Sequence, residues 1–113
     1  MQDEKAVALF NETLAKTQQG RIPWGPGVSG DALIAAIKGK YSLVLTREDS
    51  DEWPQDIFKL AMKDQSDREI LTVNRYLDGV TFDDLRTLYD TARRQAYRVD
   101  QQVDDLISDL RNL

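Results

Sequence analysis

Carboxylates crowd into one short segment near the middle of the chain, and they are its first candidates for binding a metal ion. Glu48, Asp49, Asp51, Glu52 and Asp56 offer the hard oxygen ligands that Ca²⁺ and Mg²⁺ prefer. Their spacing does not match an EF-hand loop, because counting from Asp49 puts a proline at the position that requires glycine and a leucine at the position that requires glutamate. We therefore expect a solvated acidic loop with no metal site.

The same segment carries a tryptophan, Trp53, for which two arrangements are open. The indole ring either tucks under the predicted sheet, the more common arrangement for tryptophan, or lies exposed among the charges. An exposed aromatic ring inside a polar rim is typical of a protein-binding hot spot. In that arrangement Asp49, Asp51, Glu52 and Trp53 form the predicted partner-binding site, and their charge favours a basic protein partner.

Four arginines near the C-terminus form a second charged cluster. Arg86, Arg93, Arg94 and Arg98 fall on a predicted helix, and guanidinium groups bind carboxylates and phosphates. Asp90 lies four residues from two of them, so ion pairs along the helix surface explain the pattern. The whole chain has 20 acidic and 15 basic residues, a net charge of -5, which disfavours phosphate-rich partners. We expect no binding to nucleic acid.

Histidine and cysteine are both absent from the 113 residues. The chain therefore has no thiol nucleophile, no Cys/His zinc site and no side chain whose unperturbed pKa lies near neutrality. Residues 25–30 are rich in glycine, but they lack the lysine and hydroxyl residue of a phosphate-binding loop and are expected to be a flexible connection. We predict no cofactor and no enzyme activity, with a pair of carboxylates in a cleft as the one catalytic alternative.

The elements that position these groups follow from the apolar pattern. Spacings of three and four near the N-terminus predict a helix that ends near Gly20. Prolines and glycines interrupt residues 21–27, where we expect Trp24 to fold back onto the core. Four strands with short connections are predicted next, which favours an antiparallel meander. They cover residues 32–37, 41–46, 57–63 and 69–75.

The longest periodic pattern begins after Thr81, a residue that favours helix N-caps, and continues to the C-terminus. A single helix here would be about 46 Å long, more than the ~34 Å across a compact domain of this size. The chain therefore either bends near Arg98 or projects and pairs with another subunit. Packing on its own domain is the favoured arrangement, and a homodimer is the alternative. The predicted self-association residues are Val99, Val103, Leu106 and Leu110, spaced alternately four and three apart.

Length and composition indicate a single α+β domain over residues 1–113. It comprises an N-terminal helix, a four-stranded antiparallel β-meander, and a C-terminal helix or helix pair packed on the sheet. No apolar stretch is long enough to span a bilayer, and residues 1–5 lack the features of a secretory signal. We expect a cytoplasmic protein without a membrane partner.

A resemblance extends over most of the chain. Residues 14–24 and 85–96, followed by Val99, Asp100 and a leucine-rich end, resemble uncharacterised small bacterial α+β proteins of the mobile-element or integron gene cassette type. The resemblance implies the order helix, four-stranded sheet, C-terminal helix. The shared positions are mainly packing positions, so it implies a bacterial accessory or defence role without any catalytic residue.

These observations favour a noncatalytic protein-binding or adaptor domain. We predict that it recognises a partner through the acidic loop around Trp53 and that its C-terminal helix supplies self-association. The alternative is a small-ligand-binding domain whose pocket lies between the sheet and the helices, with Trp24, Tyr41 and Tyr89 as candidate lining residues.

Overall fold

The computed structural model of the chain describes residues 2–48, 57–74 and 79–113. The elements are α1 (Gln2–Gln18), β1 (Gly25–Pro26), β2 (Leu33–Ile37), β3 (Tyr41–Glu48), β4 (Ile57–Lys63), β5 (Glu69–Val73), α2 (Phe82–Ala96) and α3 (Val99–Arg111). The fold is α+β: an N-terminal helix, an antiparallel sheet and two C-terminal helices. This confirms the predicted fold class and element order.

The sheet is a meander of five strands, in the order β1-β2-β3-β4-β5, where four were predicted. The additional strand, β1, comes from the stretch expected to be a flexible connection, and Gly25 pairs with Ile34. Proline is tolerated in β1 because the strand lies at the edge of the sheet. Gly27 extends the pairing by donating its N–H to the carbonyl of Ala32 at 2.8 Å. A Cβ at Gly27 would lie 2.8 Å from the Cβ of Ala32, so only glycine permits this approach.

One face of the sheet carries the hydrophobic core. A row of four side chains runs straight across β2 to β5, because the register places them opposite one another, and all four are fully buried. Four buried side chains of α2 belong to the same core cluster. The row is Leu33, Leu45, Leu60 and Val73, and the α2 residues are Leu85, Leu88, Tyr89 and Ala92.

Hydrogen bonds join α1 and α2 to each other and to the connections on either side of β1. The Trp24 indole N–H donates to Oγ1 of Thr17 at 2.9 Å, and both side chains are buried, which confirms Trp24 as a core anchor. The Gln95 side-chain amide donates to the Thr17 carbonyl at 2.7 Å, joining α2 to the end of α1. The Tyr89 hydroxyl donates to the carbonyl of Asp31 at 2.7 Å. These bonds fix both helices over the sheet.

In the described part of the chain, α2 is the C-terminal helix that packs on the sheet. Thr81 caps this helix, as predicted, by accepting a hydrogen bond from the backbone N–H of Asp84 at 3.1 Å. The expectation that the whole region lies on the sheet is wrong for α3, which buries none of its residues. Among the described residues, no helix is both long enough and apolar enough to cross a bilayer.

Candidate functional site

Two residues, Tyr97 and Arg98, separate α2 from α3, and the second is left-handed. Arg98 has φ 51° and ψ 47°, a conformation that ends the α2 hydrogen-bond ladder and starts a new helix in another direction. Two contacts hold the junction: Arg94 forms an ion pair with Asp100, and the Gln102 side-chain amide donates to the carbonyl of Tyr97. The predicted bend near Arg98 is therefore present. In the described part of the chain, α3 packs mainly against α2 and not against the strands.

The exposed helix carries a continuous apolar stripe, which we call the α3 stripe. Five of its six side chains recur at helical spacing on α3 and cover an arc of about 100°, and the sixth, Leu113, follows the end of the helix. Leu106 is 58% exposed and Leu110 57%, and only the first member, Val99, is half-buried. Contiguous exposed apolar patches are uncommon on monomeric proteins and often mark interaction sites. The α3 stripe is Val99, Val103, Leu106, Ile107, Leu110 and Leu113.

Acidic side chains flank this stripe on both sides. At 100° per residue, Asp100 and Asp104 border one edge and Asp109 borders the other, while Asp105 lies toward the opposite face. Asp100 is paired with Arg94; the other three carboxylates make no ion pair within the described part of the chain. The helix therefore offers a hydrophobic strip with a negative rim.

A second apolar feature, the α1 groove, lies between α1 and the end of the sheet where β2 and β4 finish. One section encloses about 440 Å³ and an adjoining section about 350 Å³. Leu9 and Met62 line both sections, so the two sections adjoin along α1. Its apolar walls are Leu9, Ile22, Ile37, Leu43, Met62, Ile70 and Leu71.

Cations dominate the rim of the α1 groove. Lys5, Lys16, Arg21 and Lys38 line it, against one carboxylate, that of Glu12. Across residues 2–48, 57–74 and 79–113, none of these four cations forms an ion pair. The groove is thus a local basic surface on a chain whose net charge is -5.

Two titrating groups in the described part of the chain have shifted pKa values, and both serve the fold. The Lys59 ammonium, 3.1 Å from Glu69, holds the pKa of that carboxyl below its usual 4.5. Burial raises the pKa of the Tyr89 hydroxyl, which the Asp31 carbonyl already binds. Neither group lines the α1 groove, and no cluster of three metal-ligating side chains occurs in residues 2–48, 57–74 and 79–113.

The predicted site residues separate into two groups. Asp49, Asp51, Glu52 and Trp53 lie outside the described residues, so the partner-binding loop stays a prediction. The predicted self-association residues all lie on the α3 stripe, together with Ile107 and Leu113. Of the candidate pocket residues, Tyr41 lines the α1 groove, whereas Trp24 and Tyr89 are buried in the core.

Two of the four clustered arginines form ion pairs, as expected, and one of the two has a different partner. Arg86 pairs with Asp90 at 3.7 Å, as predicted, but Arg94 pairs across the helix junction with Asp100. The guanidinium of Arg93 lies over the Tyr97 ring, 5.6 Å from its centroid. The contacts of Arg93 and Arg94 stabilise the end of α2 and its junction with α3.

Sequence reasoning did not find the α1 groove. A partial signal was present, because Lys5, Leu9, Glu12 and Lys16 are spaced by four, three and four residues and so share one face of a helix. Nothing in the sequence indicated that Lys38 would stand beside this face.

Comparison with known proteins gives no match: no family model, no curated protein and no solved structure is similar to this chain. The resemblance to integron cassette proteins accordingly stays a prediction from the sequence.

Proposed function

We propose that the protein is a noncatalytic protein-binding domain and that the α3 stripe is its principal docking surface. The observation that carries this proposal is the helix itself: α3 has a wide apolar face, yet it buries none of its residues. A helix of 13 residues is marginal in water on its own, and most helices in proteins are stabilised by packing of their apolar face. A partner that covers the α3 stripe would supply that packing.

The charges around the stripe define the partner's chemistry. Asp104 and Asp109 stand on opposite edges of the stripe and make no ion pair in the described part of the chain. A groove with apolar walls and lysine or arginine at its rim complements both features, and helix-in-groove binding is a common mode of protein recognition. The acidic loop from Asp49 to Trp53 is proposed as a further contact, on its sequence pattern alone. A cytoplasmic, bacterial setting likewise remains a prediction.

Site-specific photo-crosslinking tests the proposal. A photoreactive phenylalanine analogue placed at Leu106 reports on the stripe, and the same analogue at Ser108, about 160° away around the helix, reports on the opposite face. We expect the Leu106 probe to give a defined crosslinked protein, identified by mass spectrometry, that the Ser108 probe does not give. Absence of any product from Leu106, or the same product from both positions, would contradict α3 as the docking surface.

The second candidate, binding of a small molecule, is favoured by the α1 groove. An apolar channel with Lys16, Arg21 and Lys38 at its rim suits a ligand with an apolar chain and an anionic head. Calorimetric titration with dodecanoate tests this function directly. Binding that Lys16→Glu abolishes would support it, and no binding to the parent protein would exclude this ligand class.

A further inference from the structure

The two unpartnered surfaces of this chain complement each other. The α3 stripe is apolar with an acidic rim, and the α1 groove is apolar with a basic rim. We propose that the α1 groove of one copy receives the α3 helix of a second copy, and that the second copy's groove receives the first copy's helix. This inference rests on the proposed function, because it names the partner that covers the α3 stripe.

The dimensions of helix and groove agree. Along α1 the groove is lined from Lys5 to Lys16, eleven residues or about 17 Å of helix. On α3 the exposed part of the stripe runs from Val103 to Leu110, seven residues or about 11 Å of helix. One α3 helix therefore matches the groove along most of its length.

Charge decides between the groove and the simpler alternative of two α3 helices packed side by side. In a paired seam, Asp104 and Asp109 on each helix would face a second helix that is equally acidic, and like charges at such flanking positions disfavour pairing. In the α1 groove the same carboxylates meet Lys5, Lys16 and Lys38 instead. The groove's own carboxylate, Glu12, is the one opposing charge.

Symmetry makes the exchange reciprocal. Each copy has one helix and one groove, so a two-fold axis fills both grooves and leaves neither stripe exposed. If only one helix docked into the other copy's groove, one helix and one groove would stay free. Further copies would then add to them and form open chains. The closed arrangement is a dimer, so the expected mass is twice the 12.9 kDa of one chain.

Charge reversal with a mixing step tests the proposal. A groove variant carries Lys16→Glu and Lys38→Glu, and a helix variant carries Asp104→Lys and Asp109→Lys. Each variant alone sets like charges against each other, so we expect its dimerisation to weaken at least about tenfold. The mixture restores opposite charges in both interfaces, and light scattering should then show a heterodimer. A matched control, Lys63→Glu with Arg86→Glu, makes the same charge change away from the groove and should dimerise like the parent.

Other outcomes overturn the inference. A groove variant that still dimerises fully would assign the contact to α3 against α3, and a parent that remains monomeric at all concentrations would exclude a second copy as the partner. Circular dichroism confirms that each variant is folded before its mass is interpreted. A monomeric parent whose Leu106 probe nevertheless crosslinks another protein would overturn this inference and leave the proposed function standing.

Discussion

Leucine-to-alanine substitution at one position in α2 and one in α3 distinguishes a core residue from a residue of the proposed docking surface. Leu88 is fully buried against the sheet, whereas Leu106 on α3 is 58% exposed. Both lie inside helices, so Leu→Ala changes helix propensity equally and in a favourable direction at both positions. Any difference between the two variants in the free energy of unfolding therefore measures packing.

The expected magnitudes differ widely. Leu88→Ala removes a side chain that packs in the main core cluster, and such a change costs about 2–5 kcal/mol, from lost burial and from the cavity that remains. Leu106→Ala removes a side chain that packs on little of its own chain, so the free energy of unfolding should stay within about 0.5 kcal/mol of the parent. Domains of this size are stable by about 5–15 kcal/mol, so Leu88→Ala removes a large share of the total.

Urea unfolding followed by circular dichroism provides the assay, at a concentration low enough for light scattering to give the mass of one chain. With a slope of about 1.5 kcal/mol per molar urea, the Leu88→Ala midpoint should fall by roughly 1.3–3.3 M while that of Leu106→Ala hardly moves. Leu88→Met, which nearly conserves volume, should cost less than about 1.5 kcal/mol and serves as a folding control. Equal losses for the two alanine variants would refute the reasoning, because α3 would then pack on its own domain.

Three further predictions concern groups that stabilise the fold. Thr17→Val leaves the buried Trp24 indole N–H without its acceptor and should cost about 1–3 kcal/mol by urea unfolding, whereas Thr17→Ser should retain the hydrogen bond. The pKa of Glu69 is lowered in the folded state, so its contribution to the free energy of unfolding is present above about pH 4.5 and is lost as the pH falls. The stability difference between the parent and Glu69→Gln should therefore disappear during acid titration. A difference that does not change with pH would contradict this. The pKa of Tyr89 is raised in the folded state, so its contribution to the free energy of unfolding is present below about pH 10 and is lost at higher pH. Tyr89→Phe should therefore lack one ionisation step above pH 10 in an absorbance titration. It should also lose less stability than the parent at alkaline pH.

Much of the fold could be predicted because local patterns specify it. Thr81 and the periodic leucines after it define α2, and the short connections between apolar runs define the meander. The strand β1 was missed because Gly25 and Pro26 are typical of loops, and their pairing depends on the close approach of Gly27 to Ala32.

Of the two candidate surfaces, only the α3 stripe could be predicted from the sequence. The α3 stripe follows from spacing along the chain, and four of its six residues were predicted as a self-association surface. Whether that stripe would be covered depends on the direction of the chain after Arg98, whose left-handed conformation the sequence does not indicate, since arginine rarely adopts it. The α1 groove combines residues from Lys5 to Leu71, so it appears only when the sheet and α1 are assembled.

The central claim is that α3 is an assembly surface and not a part of the core. Light scattering after size exclusion, over a concentration series, tests it most directly when the intact chain is compared with a chain that ends at Gln101. We predict that the intact chain approaches twice 12.9 kDa as its concentration rises, and that the shortened chain stays folded and monomeric throughout. A shortened chain that unfolds, or one that dimerises as well as the intact chain, would contradict the claim.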